Sequence, residues 1–382
     1  MKPVLLFVEQ HAFLGGGQRI IVSIATHPTI TREWDVQFAL PEDGPLNNLL
    51  ARANISVFRF PGASIRNGEK TLGDLLLYAQ SFFHLVGWFK QAIKTSDVKY
   101  LYTSSPRYLL QMLCAVHGQP TRIVFHLHHF YRRRSYEWFL KFVLSRPQVV
   151  SVICPSQAAE QWVRSILGPL PKIVRVSNWV CTEIPVLKAY PTSSAPVRLE
   201  SESPSSFRFA VIGRVISIKG QDIFLEAAMR LINLGVDAEF YVIGSSAFTD
   251  QPDYETDLIE RYRSEARIHF VGHVETMSEI YPQIKCVVVP SRYEVFGMTA
   301  IEGMYYGVPV IVSDFGELPR IVEFGRSGVI FENGSVDALF DAMNMIYYDH
   351  QYRQTLIENA GIHVRANYLP ESGIARIQAL LQ

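Results

Sequence analysis

The sequence predicts an α/β protein built from two doubly wound, Rossmann-like halves, and three observations carry that prediction. Apolar runs of strand length alternate along the 382 residues with longer segments of helical period. Runs such as VVVP and VPVIV are apolar throughout, the pattern of parallel strands covered on both faces. A stretch rich in Pro, Ser and charge, residues 191–206 (PTSSAPVRLESESPSS), divides the chain into parts of nearly equal length.

In order along the chain, strands are expected over 4–8, 35–39, 55–58, 100–102, 123–126, 149–154 and 173–176 in the first half. In the second half they are expected over 208–212, 239–243, 268–271, 286–289, 309–312 and 328–331. The last segment repeats Ile374, Ile377, Leu380 and Leu381 at helical spacing, so it reads as a closing helix. The expected domains are 1–186, a surface linker over 187–206, and 207–365, with the helix of 366–382 beyond.

Composition narrows the function classes. The chain has 36 basic and 36 acidic residues, which argues against the broad basic footprint of a nucleic-acid binder. None of the four cysteines forms a CxxC pair, and Cys154 and Cys286 sit in or beside apolar runs as buried thiols would. The opening MKPVLLFVEQH reads as a first strand rather than a signal peptide. No run reaches the roughly 18 apolar residues of a membrane span. A cytoplasmic protein is expected, free or lying on the inner face of the membrane.

Four loops that follow strands carry the candidate chemistry, because ligands of open α/β sheets collect at the carboxyl ends of strands. The first is Leu14-Gly15-Gly16-Gly17-Gln18-Arg19, before a helix expected to start near Gln18. It reads either as a tight turn or as a loop whose backbone approaches a ligand closely. In the second, Gly213-Arg214-Val215-Ile216-Ser217-Ile218-Lys219-Gly220, the guanidinium fork of Arg214 and the ammonium of Lys219 can converge on one anion. The third runs from Pro290 into the helix expected over 299–306 and holds Glu294 and, eight residues on, Glu302. Carboxylates turned into a site need donors such as sugar hydroxyls, and the amides of Gly297 and Met298 at the helix start suit a phosphate. The fourth is Phe125-His126-Leu127-His128-His129-Phe130; no carboxylate or Cys stands at ligand spacing, so a polar histidine in the site is expected rather than a metal.

Taken together, the GGGQR loop, the GRVISIKG loop, the E-x7-E stretch EVFGMTAIE and the segment GMYYGVPVIVSDFGELPRIV resemble the retaining glycosyltransferases of family 4, in the same order. The resemblance spans nearly the whole chain and is strongest over 207–340. It implies a GT-B fold: two Rossmann-like domains facing a cleft, the nucleotide-sugar donor held by the C-terminal domain, and the final helix crossing back to the first. It also implies metal-independent catalysis, with no cofactor. By the same resemblance Arg214 and Lys219 contact the diphosphate, and Glu302 accepts from the ribose hydroxyls. Glu294 and the amides around Phe296, Gly297 and Met298 hold the sugar. Gly16 approaches the β-phosphate, and His128, of the three histidines, lies near the reacting sugar. UDP-sugars are the favoured donors, with GDP-mannose next. The acceptor is then a sugar or a lipid-linked saccharide in polysaccharide or glycoconjugate synthesis. Two departures stand out: Arg320 replaces a common Glu, and Trp179 replaces a glycine, where it can stack on the acceptor side. The rival readings are a nucleotide-sugar epimerase of the same fold and a non-catalytic sugar-nucleotide-binding subunit. The aromatic segments 75–94 and 130–142, each with basic residues, read either as core helices or as a membrane-contacting surface.

Overall fold

A computed structural model of the protein describes residues 2–61, 72–131, 133–181, 198–199, 206–247, 251–274 and 276–382. Most of the expected linker over 187–206 lies outside these residues. The chain divides into two units, Met1–Ser177 with Pro370–Gln382, and Asn178–Leu369.

The first unit holds a seven-stranded sheet. Its strands are β1 (Val4–Val8), β2 (Asp35–Leu40), β3 (Ser56–Arg59), β4 (Val98–Thr103), β5 (Arg122–His126), β6 (Val149–Cys154) and β7 (Ile173–Arg175). They pair in parallel in the order β3-β2-β1-β4-β5-β6-β7. The order reverses direction between β1 and β4, where Val8 stands beside Thr103. Such a switch point opens a crevice at the carboxyl ends of the two strands. The helix Pro370–Leu380 belongs to this unit, and Gln378 donates to Glu33 at 2.7 Å.

The second unit holds a six-stranded sheet. Its strands are β8 (Phe207–Ile212), β9 (Ala238–Ile243), β10 (Ile268–Gly272), β11 (Cys286–Val289), β12 (Val310–Ser313) and β13 (Val329–Phe331). The order β10-β9-β8-β11-β12-β13, parallel throughout, places its switch point between β8 and β11. Successive residues of a strand point to opposite faces, and here both faces are covered. Phe209, Val211, Phe240, Val242, Val288 and Ile311 pack into one core. Their neighbours Ala210, Tyr241, Ile243, Val287, Val289, Val310 and Val312 pack into the other.

Each expected strand is present, with ends moved by a residue or two. β4 begins at Val98 rather than 100 because its first turn toward solvent, at exposed Lys99, breaks the apolar run. The helix after β1 begins at Gly16, not near Gln18, with Gly15 as its N-cap. Glycine's low helix propensity hid that start. Cys154 and Cys286 are buried free thiols. Trp179 is buried, 1% exposed, so it presents no ring for an acceptor to stack on. Among the described residues no helix is long and apolar enough to cross a membrane.

Candidate functional site

Both switch points carry the loops singled out above. In the second unit, Gly213–Gly220 follows β8 and the stretch from Pro290 to Gly297 follows β11. The two loops are fastened together. The backbone N–H of Arg292 donates to the Ile218 carbonyl at 2.8 Å, and its guanidinium donates to the Ser217 carbonyl at 2.7 Å. The same guanidinium grips both Asp222 oxygens, at 2.8 and 2.7 Å. Burial pushes the Asp222 carboxyl up, but bonds from Arg292 and Tyr254 outweigh it and hold the group below its usual range. Gly220 makes the close approach possible. Its φ is +73°, and a Cβ there would stand 2.1 Å from the Pro290 carbonyl oxygen.

That packing brings Lys219 to Glu294. The ammonium donates to Glu294 Oε2 at 2.6 Å, and Ser291 Oγ donates to the same oxygen at 3.1 Å. Both side chains are largely but not fully covered, at 25% and 14% exposed, as suits groups that meet a ligand. Arg214 lies on the same loop and is exposed. Past Glu294, Gly297 is the N-cap of the helix Met298–Tyr305, whose first turn carries no acidic residue. A helix end of that kind favours a negative group. Glu302 is 7% exposed, and Tyr281 donates its hydroxyl to Glu302 Oε2 at 2.8 Å. The Phe296 side chain is buried against Tyr368, so only its backbone remains for a ligand. The loops after β8 and β11, with the helix that follows the second, thus carry two cations, a helix start and two carboxylates at one switch point.

In the first unit, the glycine loop and the histidines come together. Gly17 fits against His128: a Cβ on Gly17 would stand 3.0 Å from the imidazole Cγ. The His126 ring is 4.3 Å from that of His128 and is wholly buried, with Nδ1 2.8 Å from the Tyr102 hydroxyl. Burial pushes His126 down to about 3, so it is neutral and structural. Burial, with His126 and His129 nearby, holds His128 well below the usual imidazole range, so it too is neutral at pH 7. Its Nε2 is buried without a hydrogen-bond partner, whereas the His129 residue is exposed. His128 is therefore the histidine packed on the glycine loop.

The sequence reading missed Glu9. It directly follows β1, is fully buried, and accepts from the Ser104 hydroxyl, whose Oγ lies 2.8 Å from both carboxylate oxygens, and from Gln18 Nε2 at 3.3 Å. Burial pushes its carboxyl up to about 7 against the lowering bonds of Ser104 and Gln18. The one available signal was an acid closing an otherwise apolar strand run, VLLFVEQ. Arg292, Asp222 and Tyr281 were missed as well, since no motif marks their pairing.

Residues 200–362 match the family described as glycosyl transferases group 1. Over 161 residues the chain is 30% identical to the D-inositol 3-phosphate glycosyltransferase of Corynebacterium glutamicum, covering 41% of this chain and 38% of that protein. Over 182 residues it is 30% identical to the lipopolysaccharide core biosynthesis mannosyltransferase LpcC of Rhizobium leguminosarum, covering 46% and 51%. The matches thus span about half or less of these relatives. Among solved structures, Anabaena HepE in complex with UDP and glucose shares the fold at TM-score 0.78 and 21% identity, over 98% of each chain. Sucrose-phosphate synthase of Thermosynechococcus elongatus does so at TM-score 0.78 and 18% identity, over 100% of this chain and 98% of that one.

Proposed function

We propose that this chain, whose residues 200–362 match the glycosyl transferases group 1 family, moves a hexose from a nucleotide-diphosphate sugar to a saccharide or lipid-linked acceptor with retention of configuration. The observation that carries the reading is the Lys219–Glu294 pair at the β8–β11 switch point, with Arg214 on the Lys219 loop and Glu302 in the helix that follows Glu294.

An ammonium has three N–H donors, and one goes to Glu294. The others, with the Arg214 fork, neutralise the diphosphate as its bond to the sugar breaks and charge builds on the leaving oxygen. The amides at the start of the Met298–Tyr305 helix and the Glu294 carboxylate hold the sugar. Glu302, oriented by Tyr281, accepts from the ribose hydroxyls. Within the first unit, Gly16 through its backbone and His128 as a neutral polar group are the groups this reading assigns to the reaction. The phosphate oxygen that leaves accepts the acceptor's proton, so no side-chain base is required. Side-chain cations take the role a divalent metal would have, and activity persists in excess chelator.

UDP is the favoured nucleotide, as bound in the HepE structure, and GDP-mannose is the next candidate, in keeping with the mannosyltransferase relative. Replacing Lys219 or Arg214 by Ala is expected to lower transfer by about 100- to 1,000-fold with the fold intact, the usual cost of removing one such donor. Wild-type turnover by both variants would overturn the assignment. NMR of the product is expected to show the donor's own anomeric configuration.

Contact with an anionic membrane surface is part of the proposal. The helix Arg134–Leu144 turns Trp138 outward at 73% exposed, beside exposed Tyr136, Lys141 and Phe142, and Arg146 lies over the Phe142 ring. An aromatic and basic helix face of this kind suits a headgroup layer and a lipid-linked acceptor.

A further inference from the structure

Glu9 is a buried acid that the reaction just described does not use. It sits at the β1–β4 switch point, under the loop that carries Gly16 and Gly17. An isolated carboxylate at zero exposure is costly, and its partners are neutral: the single Ser104 hydroxyl, shared between its two oxygens, the Ser104 backbone, and the Gln18 amide. Ser104 follows β4, while Gln18 lies in the first turn of the helix Gly16–Thr26. Glu9 therefore ties the strand pair to the start of that helix. Gln18 is itself buried, and its Oε1 lies 3.0 Å from where a Cβ on Gly15 would stand, so the amide is wedged against the glycine loop.

We propose that Glu9 is a positioning residue: as a carboxylate it fixes Gln18, and through Gln18 the glycine loop and the seat of His128, so that transfer requires Glu9 to be ionised. The charged form strengthens both bonds, because an ionised acceptor makes shorter and stronger hydrogen bonds than a neutral one. The groups that face it do not titrate near neutrality. Tyr102 on β4 and Tyr131 after the histidine loop are held protonated, chiefly by burial. His126 and His128 beyond Tyr102 are held neutral, again chiefly by burial. Among these described groups, Glu9 is the one whose charge changes across the neutral range.

This inference rests on the reading that the glycine loop and His128 serve the transfer. The test is the pH profile of donor kcat/KM from pH 5.5 to 9, alongside NMR of the backbone amides of Gly16, Gly17 and the Gln18 side chain. Wild type is expected to lose activity as pH falls through about 7, with those amide signals shifting over the same interval. Glu9→Gln is expected to flatten both. Ser104→Ala, which removes a bond that favours the ionised form, is expected to move both midpoints to higher pH. A merely structural Glu9 would change level without changing these profiles. If no transfer is found but the amides still titrate and respond to both variants, the activity assignment fails and the positioning role stands. If the amides do not titrate, or wild type and Glu9→Gln share one profile, the positioning role is wrong.

Discussion

Lys219 and Glu294 neutralise each other at 2.6 Å while each keeps capacity for a ligand, and the proposed function turns on that pair. Two acids eight residues apart suggest a general acid and base. The geometry gives them different partners instead: Glu294 is paired with a cation, and Glu302 is held by a tyrosine hydroxyl. These residues were legible in the sequence because their motifs are contiguous. Glu9 was not, because its partner Ser104 is 95 positions away and only the strand order brings them together. Glu9 also makes a prediction about stability. Burial lifts its carboxyl from 4.5 to about 7, so between those values the folded protein holds the proton more tightly than the unfolded chain. The contribution is present below pH 4.5, falls as pH rises, and is lost above about 7, a difference on the order of 3 kcal/mol. The unfolding midpoint of Glu9→Gln relative to wild type should therefore rise between pH 5 and pH 8. A constant difference across that range would contradict the burial argument.

At the scale of elements, central strands such as β1 and β11 were readable because two-faced burial leaves an uninterrupted apolar run, whereas β3, SVFR, is largely exposed and shows only a short apolar core. Helix starts were less readable where glycine caps them, as at Gly16 and Met298, since glycine is written into the sequence as a breaker. The fastening of the β8 loop to the β11 loop was invisible, because it depends on Arg292 reaching Asp222 and two backbone carbonyls of one neighbouring segment only once both loops are in place. Gly220 is the tightest point of that contact. Gly220→Ala combines a left-handed backbone with a Cβ 2.1 Å from a carbonyl oxygen. It is expected to cost about 1–3 kcal/mol or more of stability. It should also weaken nucleotide binding further than the stability loss accounts for, because Lys219 moves with the loop. Calorimetry with and without nucleotide separates the two, and unchanged affinity in a folded variant would show the loop contact to be dispensable.

For the whole molecule, the sequence already conveyed two α/β units and a closing helix. What it left open was which switch-point residues converge and whether the aromatic segment 130–142 faces a core. Its helix turns Trp138 and Phe142 outward, so replacing both with Ser should reduce co-sedimentation with anionic vesicles while leaving transfer to a soluble acceptor near wild type. Equal sedimentation would remove the membrane reading. The proposed function requires that the second unit grip a nucleoside diphosphate through side-chain cations. Calorimetric titration of UDP against UMP, and of GDP against GDP's monophosphate, in excess chelator tests this most directly. One pair is expected to show the diphosphate bound at least about tenfold tighter, roughly 1.4 kcal/mol, with the advantage abolished when Arg214 and Lys219 are both Ala. Equal affinity for mono- and diphosphate in the wild type, or an advantage that survives the double substitution, would contradict it.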